Sequence, residues 1–417
     1  MTTTLPQPSD STHAKHRSDF LLLPGLIGFL FAFRICLTVL WFQDEPESAS
    51  ALTVALSLIL FIAAALSTIG SKPAISTSCF RTTTLRWIAA FLALNLISLL
   101  WTAGPLEPAA SYWAGWAADV ATIWFILRDG CPEDQAAAVM KGYVWGASVV
   151  AIVAWSLPAL PDLRLGEETF FHPNLISMAF VFGILMALYL AHKEPNWHWP
   201  AFWLTLTLIR TISKTSIAAF CVAMIFYLFK EVALTRATKI KITIAGLVIL
   251  ASLTGLLAQY ANNYTESFDP STLTGRTVIW ATTAEFAIEK PLLGHGFYAY
   301  RVVIPHFGTF EATDAHNELL QHFFALGAFG VVLVIGLYWG IFRQIRRAPR
   351  STLKTFAASI LVFALVHGLA DTLPFDLSFP LWLMAMFSIL LSAQSVAAHP
   401  MPPDTPPDPH ADHDFIH

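Results

Sequence analysis

Charge is what this sequence has least of. Only 12% of its 417 residues are Asp, Glu, Lys or Arg, about half the share in an ordinary soluble domain, which excludes a water-solvated globule as the main body of the chain. A net charge of −4 with no basic domain gives no footing for nucleic acid as a partner. Cysteine is nearly absent, at four residues. There is no repeat of short period and no match between the two halves. There is also no His-Glu-x-x-His and no cysteine pair, so the commonest zinc-binding patterns are missing.

What is present is apolar sequence, 56% of the residues. It falls in blocks of about twenty rather than in amphipathic stripes, the length that crosses a bilayer core of ~30 Å. The blocks lie near 20–42, 51–70, 85–102, 109–128, 138–158, 172–192, 199–213, 215–231, 240–260, 316–342, 355–372 and 379–397. They predict an all-α polytopic membrane protein with about 12 transmembrane helices. The first block follows "HAKHRSD", is too long for a signal peptide and has no small-residue cleavage site after it, so it reads as a retained helix.

Orientation follows from the 24 Lys and Arg. One side of the spans has only Arg164, Lys214, Arg276, Lys290 and Arg301, and Arg34 and Arg210 fall within spans. The remainder sit with both termini and the segments "SKPAISTSCFRTTTLR", "KEVALTRATKIK" and "RQIRRAPRSTLK". The basic side is therefore cytoplasmic. Cys36 and Cys221 lie in spans and Cys79 and Cys131 in cytoplasmic loops, so no disulfide is expected.

The chain divides into a cytoplasmic tail over 1–19, a single transmembrane domain over 20–397 and a proline- and acid-rich cytoplasmic tail over 398–417, disordered by composition. One long connection, 261–315, lies on the outer side, where a loop of that length is usually functional. Within it "NNYTESFDPSTLTG" is turn-rich. "RTVIWATTAEFAIEK" predicts a helix at the outer membrane surface, with Val278, Ile279, Thr282, Phe286 and Ala287 able to share a face. "PLLGHGFYAYRVVIPHFGTFEATDAHN" has no period and predicts an irregular packed loop.

Four polar signatures project to that outer face. Cations there run against the positive-inside bias and need a reason. Arg276, in "LTGRTVIW", stands at the expected start of the surface helix, where free N–H groups and the dipole favour an anion and an arginine adds a bidentate phosphate clamp. Lys214, in "RTISKTSIAAF", sits in a tight reversal between two spans; an anionic ligand and snorkelling to headgroups both fit. Arg164 and Arg301 fit snorkelling as well. His172 and Asn174 open the sixth span, where Asn174 fits a helix cap. In "DAHNELLQH", Asp314 fits a cap for the next helix, Asn317 its first turn, and His316 a general base titrating near pH 6.5. His316 and His322 are six residues apart, roughly 240° around a helix, so they cannot share a ligand. A metal held jointly by His295, His306 and His316 is the remaining metal reading.

In this order the signatures resemble the O-antigen ligase and Wzy-type polymerase family. The likeness is closest over 160–335: "HPN" opening a span, the serine–lysine turn, "GR-x-x-x-W", "PLLGHGF", "AHNELLQ" and "GAFG". The first 150 residues are similar only in being apolar spans. The resemblance implies a GT-C-like membrane glycosyltransferase with one large periplasmic loop, without metal or other cofactor, in the bacterial inner membrane. Its donor would be an undecaprenyl-pyrophosphate-linked oligosaccharide and its acceptor a glycan or lipid; membrane lipids, a flippase and a chain-length regulator are further partners in view. It implies His316 as base on the acceptor hydroxyl, Arg276 and Lys214 as pyrophosphate clamps, and Asn317, His172, Asn174, Arg301 and Arg164 as supporting or substrate-binding residues. Pyrophosphate leaves readily once its charge is neutralised, so cations and one base suffice where a glycosidase uses two carboxylates.

Family ligases commonly have arginine where Lys214 stands, and "SKT" is more similar to the exopolysaccharide-production branch. An acidic residue often found two positions before the "LG" glycine is here Ala325. The leading expectation is a polymerase of lipid-linked repeat units in exopolysaccharide synthesis, with an O-antigen ligase acting on lipid A core as the alternative. A secondary transporter would need related halves and polar midplane residues, and a structural subunit of a glycan export complex would need none of the polar face.

Overall fold

The computed structural model describes residues 22–41, 46–69, 77–160, 163–167, 171–231, 235–241, 244, 276–307, 312–372 and 381–398. The tail up to 19, the tail from 399, most of the block near 240–260 and "NNYTESFDPSTLTG" lie outside them. The described helices are α1 (Leu22–Phe33), α2 (Ile35–Trp41), α3 (Pro46–Ser67), α4 (Thr83–Ser98), α5 (Leu106–Arg128), α6 (Pro132–Ser156) and α7 (Pro173–Ala191). They continue with α8 (His198–Arg210), α9 (Lys214–Lys230), α10 (Arg276–Glu289), α11 (Tyr300–Val303), α12 (Glu318–Arg347), α13 (Thr352–His367) and α14 (Leu381–Ala398). No strand occurs among the described residues.

Helices satisfy every backbone group within the segment, which is the condition for standing in lipid. Five described segments are long and apolar enough to cross a membrane: Ser50–Ser67 in α3, together with α6, α7, α12 and α14. α1, α4 and α13 are shorter apolar helices. Ile59, Ile62 and Leu66 of α3 point outward, more than half exposed, as a lipid-facing surface requires. The described residues are all-helical apart from their connections, and the chain is a membrane protein.

Between helices in lipid, close packing replaces hydrophobic drive, and small residues permit it. α1 and α6 make the closest such contact. A methyl group on Gly28 would overlap the Val139 carbonyl, and one on Gly142 would overlap the Gly25 carbonyl. α7 lies in the middle of the bundle and is buried along nearly its whole length.

α12 is broken at Gly327, whose φ of 61° and ψ of −155° are non-helical. The carbonyls the break releases find partners in the "PLLGHGF" segment: His295 N–H donates to Phe324 O at 2.9 Å and Gly296 N–H to Ala325 O at 2.8 Å, while Ala328 N–H donates to Pro291 O at 2.8 Å. On its other side the same segment is tied to the end of α4, with Phe297 N–H donating to Ser98 Oγ and Thr102 Oγ1 to Phe297 O. "PLLGHGF" and "GAFG" are thus two halves of one splice, which fixes the N-terminal part of α12.

Candidate functional site

Helices α7, α9, α10 and α12 bring their N-terminal ends into one cluster with the segment that follows α13. Aligned peptide dipoles make each such end electropositive. At α12 the cap is Asn317, whose Oδ1 accepts from Leu320 N–H at 3.0 Å and whose Nδ2 donates to Leu369 O at 3.0 Å. Asp314, read from the sequence as a cap, instead accepts the His316 N–H at 2.8 Å. Trp280 Nε1 of "GR-x-x-x-W" donates to the His316 carbonyl at 3.2 Å. Held at both backbone groups, His316 keeps a φ of 47°, a left-handed conformation that an unsupported side-chain-bearing residue rarely holds.

The His316 ring faces two carboxylates: Nδ1 is 3.0 Å from Asp371 Oδ1 and 3.5 Å from Asp314 Oδ1. The other oxygen of Asp371, Oδ2, accepts from Arg276 Nη2 at 3.1 Å, and Arg276 Nη1 donates to Thr215 Oγ1 at 2.8 Å. A line of charge therefore runs from the first turn of α9, through Arg276 and Asp371, to His316. Burial opposes a charge on His316, but the Asp314 charge and the hydrogen bond and charge of Asp371 outweigh it; the pKa rises to about 9, with Arg276 opposing the rise. Burial likewise works against an ionised Asp371. The hydrogen bond and charge of His316, then His367 and Arg276, overcome that and hold it at about 2.

A second network lies beside the first. Arg164 Nη2 donates to Asn174 Oδ1 at 2.7 Å and its Nε to Thr211 O at 3.0 Å. Asn174 Oδ1 also accepts from Ser213 Oγ, Ser213 bonds Ser216, and Ser216 meets His367 Nε2 at 3.2 Å. His172, and not Asn174, caps α7: its Nδ1 accepts the Asn174 N–H. Burial first and the Arg164 charge second push the His172 pKa down to about 4, so this histidine is neutral at pH 7.

Of the residues singled out from sequence, the structure joins His316 and Arg276 through Asp371, and His172, Asn174 and Arg164 through the second network. Asn317 adjoins the first. Lys214 opens α9, exposed, one residue from the Thr215 that holds Arg276. Arg301 is placed on α11 with its guanidinium 5.5 Å over the Tyr298 ring. His295 bonds the Phe286 carbonyl and stacks on Phe324, a packing role that removes it from a shared metal set with His316. His322 bonds Glu318 at 2.9 Å and packs edge-on against Phe91.

Sequence reading missed Asp371, Thr215 and the serine–histidine relay of Ser213, Ser216 and His367. Asp371 had a signal, an acidic residue closing an apolar block, less conspicuous than the cations. It also missed that Asp314, His316 and Asp371 bring one metal-ligating atom each within 4.8 Å of one another.

Chemically the cluster offers a histidine with Nδ1 tied to a carboxylate, an arginine on the same carboxylate, and a lysine at a helix N-terminus. That set can take a proton from a hydroxyl and neutralise an anionic leaving group. Residues 199–335, which include Lys214, Arg276, His316 and Asn317, match the family model described as O-Antigen ligase. Over 288 residues the chain is 26% identical to an O-antigen ligase of Pseudomonas aeruginosa, a match covering 63% of this chain and 65% of that relative, slightly under two thirds of its length. The family-model match spans Lys214, Arg276, His316 and Asn317, and together with the similarity to the Pseudomonas aeruginosa protein it agrees with the motif resemblance to the O-antigen ligase family.

Proposed function

We propose that this protein is a metal-independent glycosyltransferase of the bacterial inner membrane that draws glycan from an undecaprenyl-pyrophosphate donor on the periplasmic face. The observation that carries the reading is the Arg276–Asp371–His316 line at the N-terminus of α9. In the reaction, the acceptor hydroxyl oxygen forms a bond to the anomeric carbon of the donor. The bond from that carbon to the phosphate oxygen breaks, and its electron pair leaves with the lipid pyrophosphate. The hydroxyl proton passes to His316 Nε2, while Nδ1–H stays on Asp371. Arg276 and Lys214 meet the charge on the leaving group, supported by the N–H groups of α9. Both termini are cytoplasmic in this reading.

For the acceptor, the serine–lysine turn at Lys214 favours the sugar hydroxyl of the next lipid-linked repeat unit, making the enzyme an exopolysaccharide polymerase. The match to the Pseudomonas aeruginosa O-antigen ligase favours a second acceptor, lipid A core. A defined lipid-linked repeat unit incubated with purified protein separates the two. A ladder of longer lipid-linked glycans supports polymerisation. Intact donor that is consumed only when lipid A core is added supports ligation. No transfer to either acceptor, with the protein folded, overturns the glycosyltransferase reading, and product lost on chelation overturns its metal independence.

A further inference from the structure

The Asp314, His316 and Asp371 side chains have a capacity that proton transfer does not use. His316 Nδ1 lies 3.0 Å from Asp371 Oδ1 and 3.5 Å from Asp314 Oδ1. Zinc bound tetrahedrally by nitrogen and oxygen at ~2.0–2.1 Å sets its ligand atoms roughly 3.3 Å apart. Two edges of the cluster already have that spacing, and the third closes within the 4.8 Å that bounds all three atoms. We propose that this cluster is a binding site for a late first-row divalent cation of the zinc class, and that its occupancy disables His316 as a base.

The donor set selects the ion. One imidazole nitrogen with two carboxylates suits zinc and its neighbours, whereas magnesium and calcium prefer oxygen throughout. The carboxylates are oriented for it. Arg276 holds Oδ2 of Asp371 and leaves Oδ1 facing the cluster, and the His316 N–H fixes Asp314 Oδ1 at 2.8 Å. Ligating carboxylates are commonly steadied by such outer hydrogen bonds. Asp314 and His316 keep 23% and 19% of their side chains exposed, which leaves an open side for entry and for a fourth ligand.

The consequence follows from proton bookkeeping on one ring. Coordination at Nδ1 releases the Nδ1 proton to solvent, and the neutral imidazole keeps its remaining proton on Nε2. The nitrogen that should accept a hydroxyl proton then becomes a donor. This part rests on the proposed glycosyl transfer; the binding does not.

The test is zinc titration of the full-length protein by calorimetry. The histidine-rich tail, with His410, His413 and His417, will bind zinc too, so differences between proteins carry the result. Wild type should show one saturable equivalent more than His316→Ala and more than Asp314→Asn, which keeps the turn acceptor but loses the anion. Cobalt(II) should give a visible d–d band in wild type that both variants lack. Equal stoichiometry and affinity in all three proteins, or displacement of zinc by millimolar magnesium, overturns the site. In the glycan-transfer assay, zinc should inhibit wild type and chelator should restore it. Full activity with the site saturated overturns the switch while leaving the binding in place.

Discussion

His316 and Asp371 stand 55 positions apart in sequence, yet Nδ1 of one lies 3.0 Å from Oδ1 of the other. The bond joins the turn before α12 to the segment after α13. Two further ties hold those segments in register: Glu318 N–H donates to Gly368 O, and Asn317 Nδ2 to Leu369 O. When the ring is neutral, the carboxylate favours the tautomer with its proton on Nδ1 and its lone pair on Nε2. Asp371→Asn should undo this, because the asparagine amide can donate to Nδ1 and move the ring proton to Nε2. Turnover should fall by about 10²–10⁴, as for loss of a general base, and His316→Ala should do the same. The double variant should be no slower than either single one, since the two act as a unit. Additive losses would separate their roles.

The pH dependence has a definite sign. With a pKa raised to about 9, His316 is deprotonated in only about one molecule in a hundred at pH 7. If the neutral ring is the base, kcat/KM should rise from pH 7, reach half its maximum near pH 9 and level off above that. Stability should move the opposite way. A folded-state pKa above the unfolded ~6.5 stabilises the protein fully below that value, and the contribution is lost as pH climbs through about 9. Thermal unfolding in detergent and initial rates across that window check both trends. A rate that falls as the ring deprotonates would make the imidazolium the working form.

Arg276 is placed to do two things that separate on substitution. Its guanidinium spans Thr215 and Asp371, and its charge opposes protonation of His316. Arg276→Lys keeps a charge and loses the fork, so transfer should fall about tenfold; Arg276→Ala should lose about 10²–10³, the usual range for one charge-stabilising donor. Arg276→Ala should also move the midpoint of the rate profile upward. Lys214→Ala should mainly weaken donor binding, seen as a raised KM, while Lys214→Arg should retain activity, since the wider fork still suits phosphate.

How far the sequence disclosed these features follows from what each residue has to contrast with. Apolar blocks stand out in a chain with 12% charge, so the helices were legible. Cations on the side of the spans that holds few of them stand out in the sequence, so Arg276 and Lys214 were legible too. Asp371 was not, because it closes a block drawn as a span over 355–372, while α13 stops at His367. The caps were misread for a related reason. Asp314, Asn317, His172 and Asn174 can all cap a helix, and only the backbone decides that Asn317 and His172 do so while Asp314 and Asn174 serve the site. "PLLGHGF" showed its irregularity but not its purpose, which depends on Gly327 thirty-odd residues on.

Gly327 is where the site is most open to damage from a distance. Its φ of 61° with ψ of −155° lies in a region that side-chain-bearing residues avoid, at a strain of about 1–3 kcal/mol. A methyl group there would also run into the Leu292 carbonyl. Gly327→Ala should either straighten α12, withdrawing Phe324 O and Ala325 O from His295 and Gly296, or push the "PLLGHGF" segment off the bundle. Both outcomes loosen the support of the N-terminal end of α12, and with it the turn that carries His316. The expected result is a lower thermal midpoint and an activity loss that a chemically conservative change far from the cluster should not cause. Gly25→Ala is the matched control, because the added methyl would come no nearer than 3.8 Å to the Ala138 carbonyl and glycine is already a weak helix former. It should be neutral or slightly stabilising. Equal behaviour of the two variants would remove the broken helix from the account of how His316 is held.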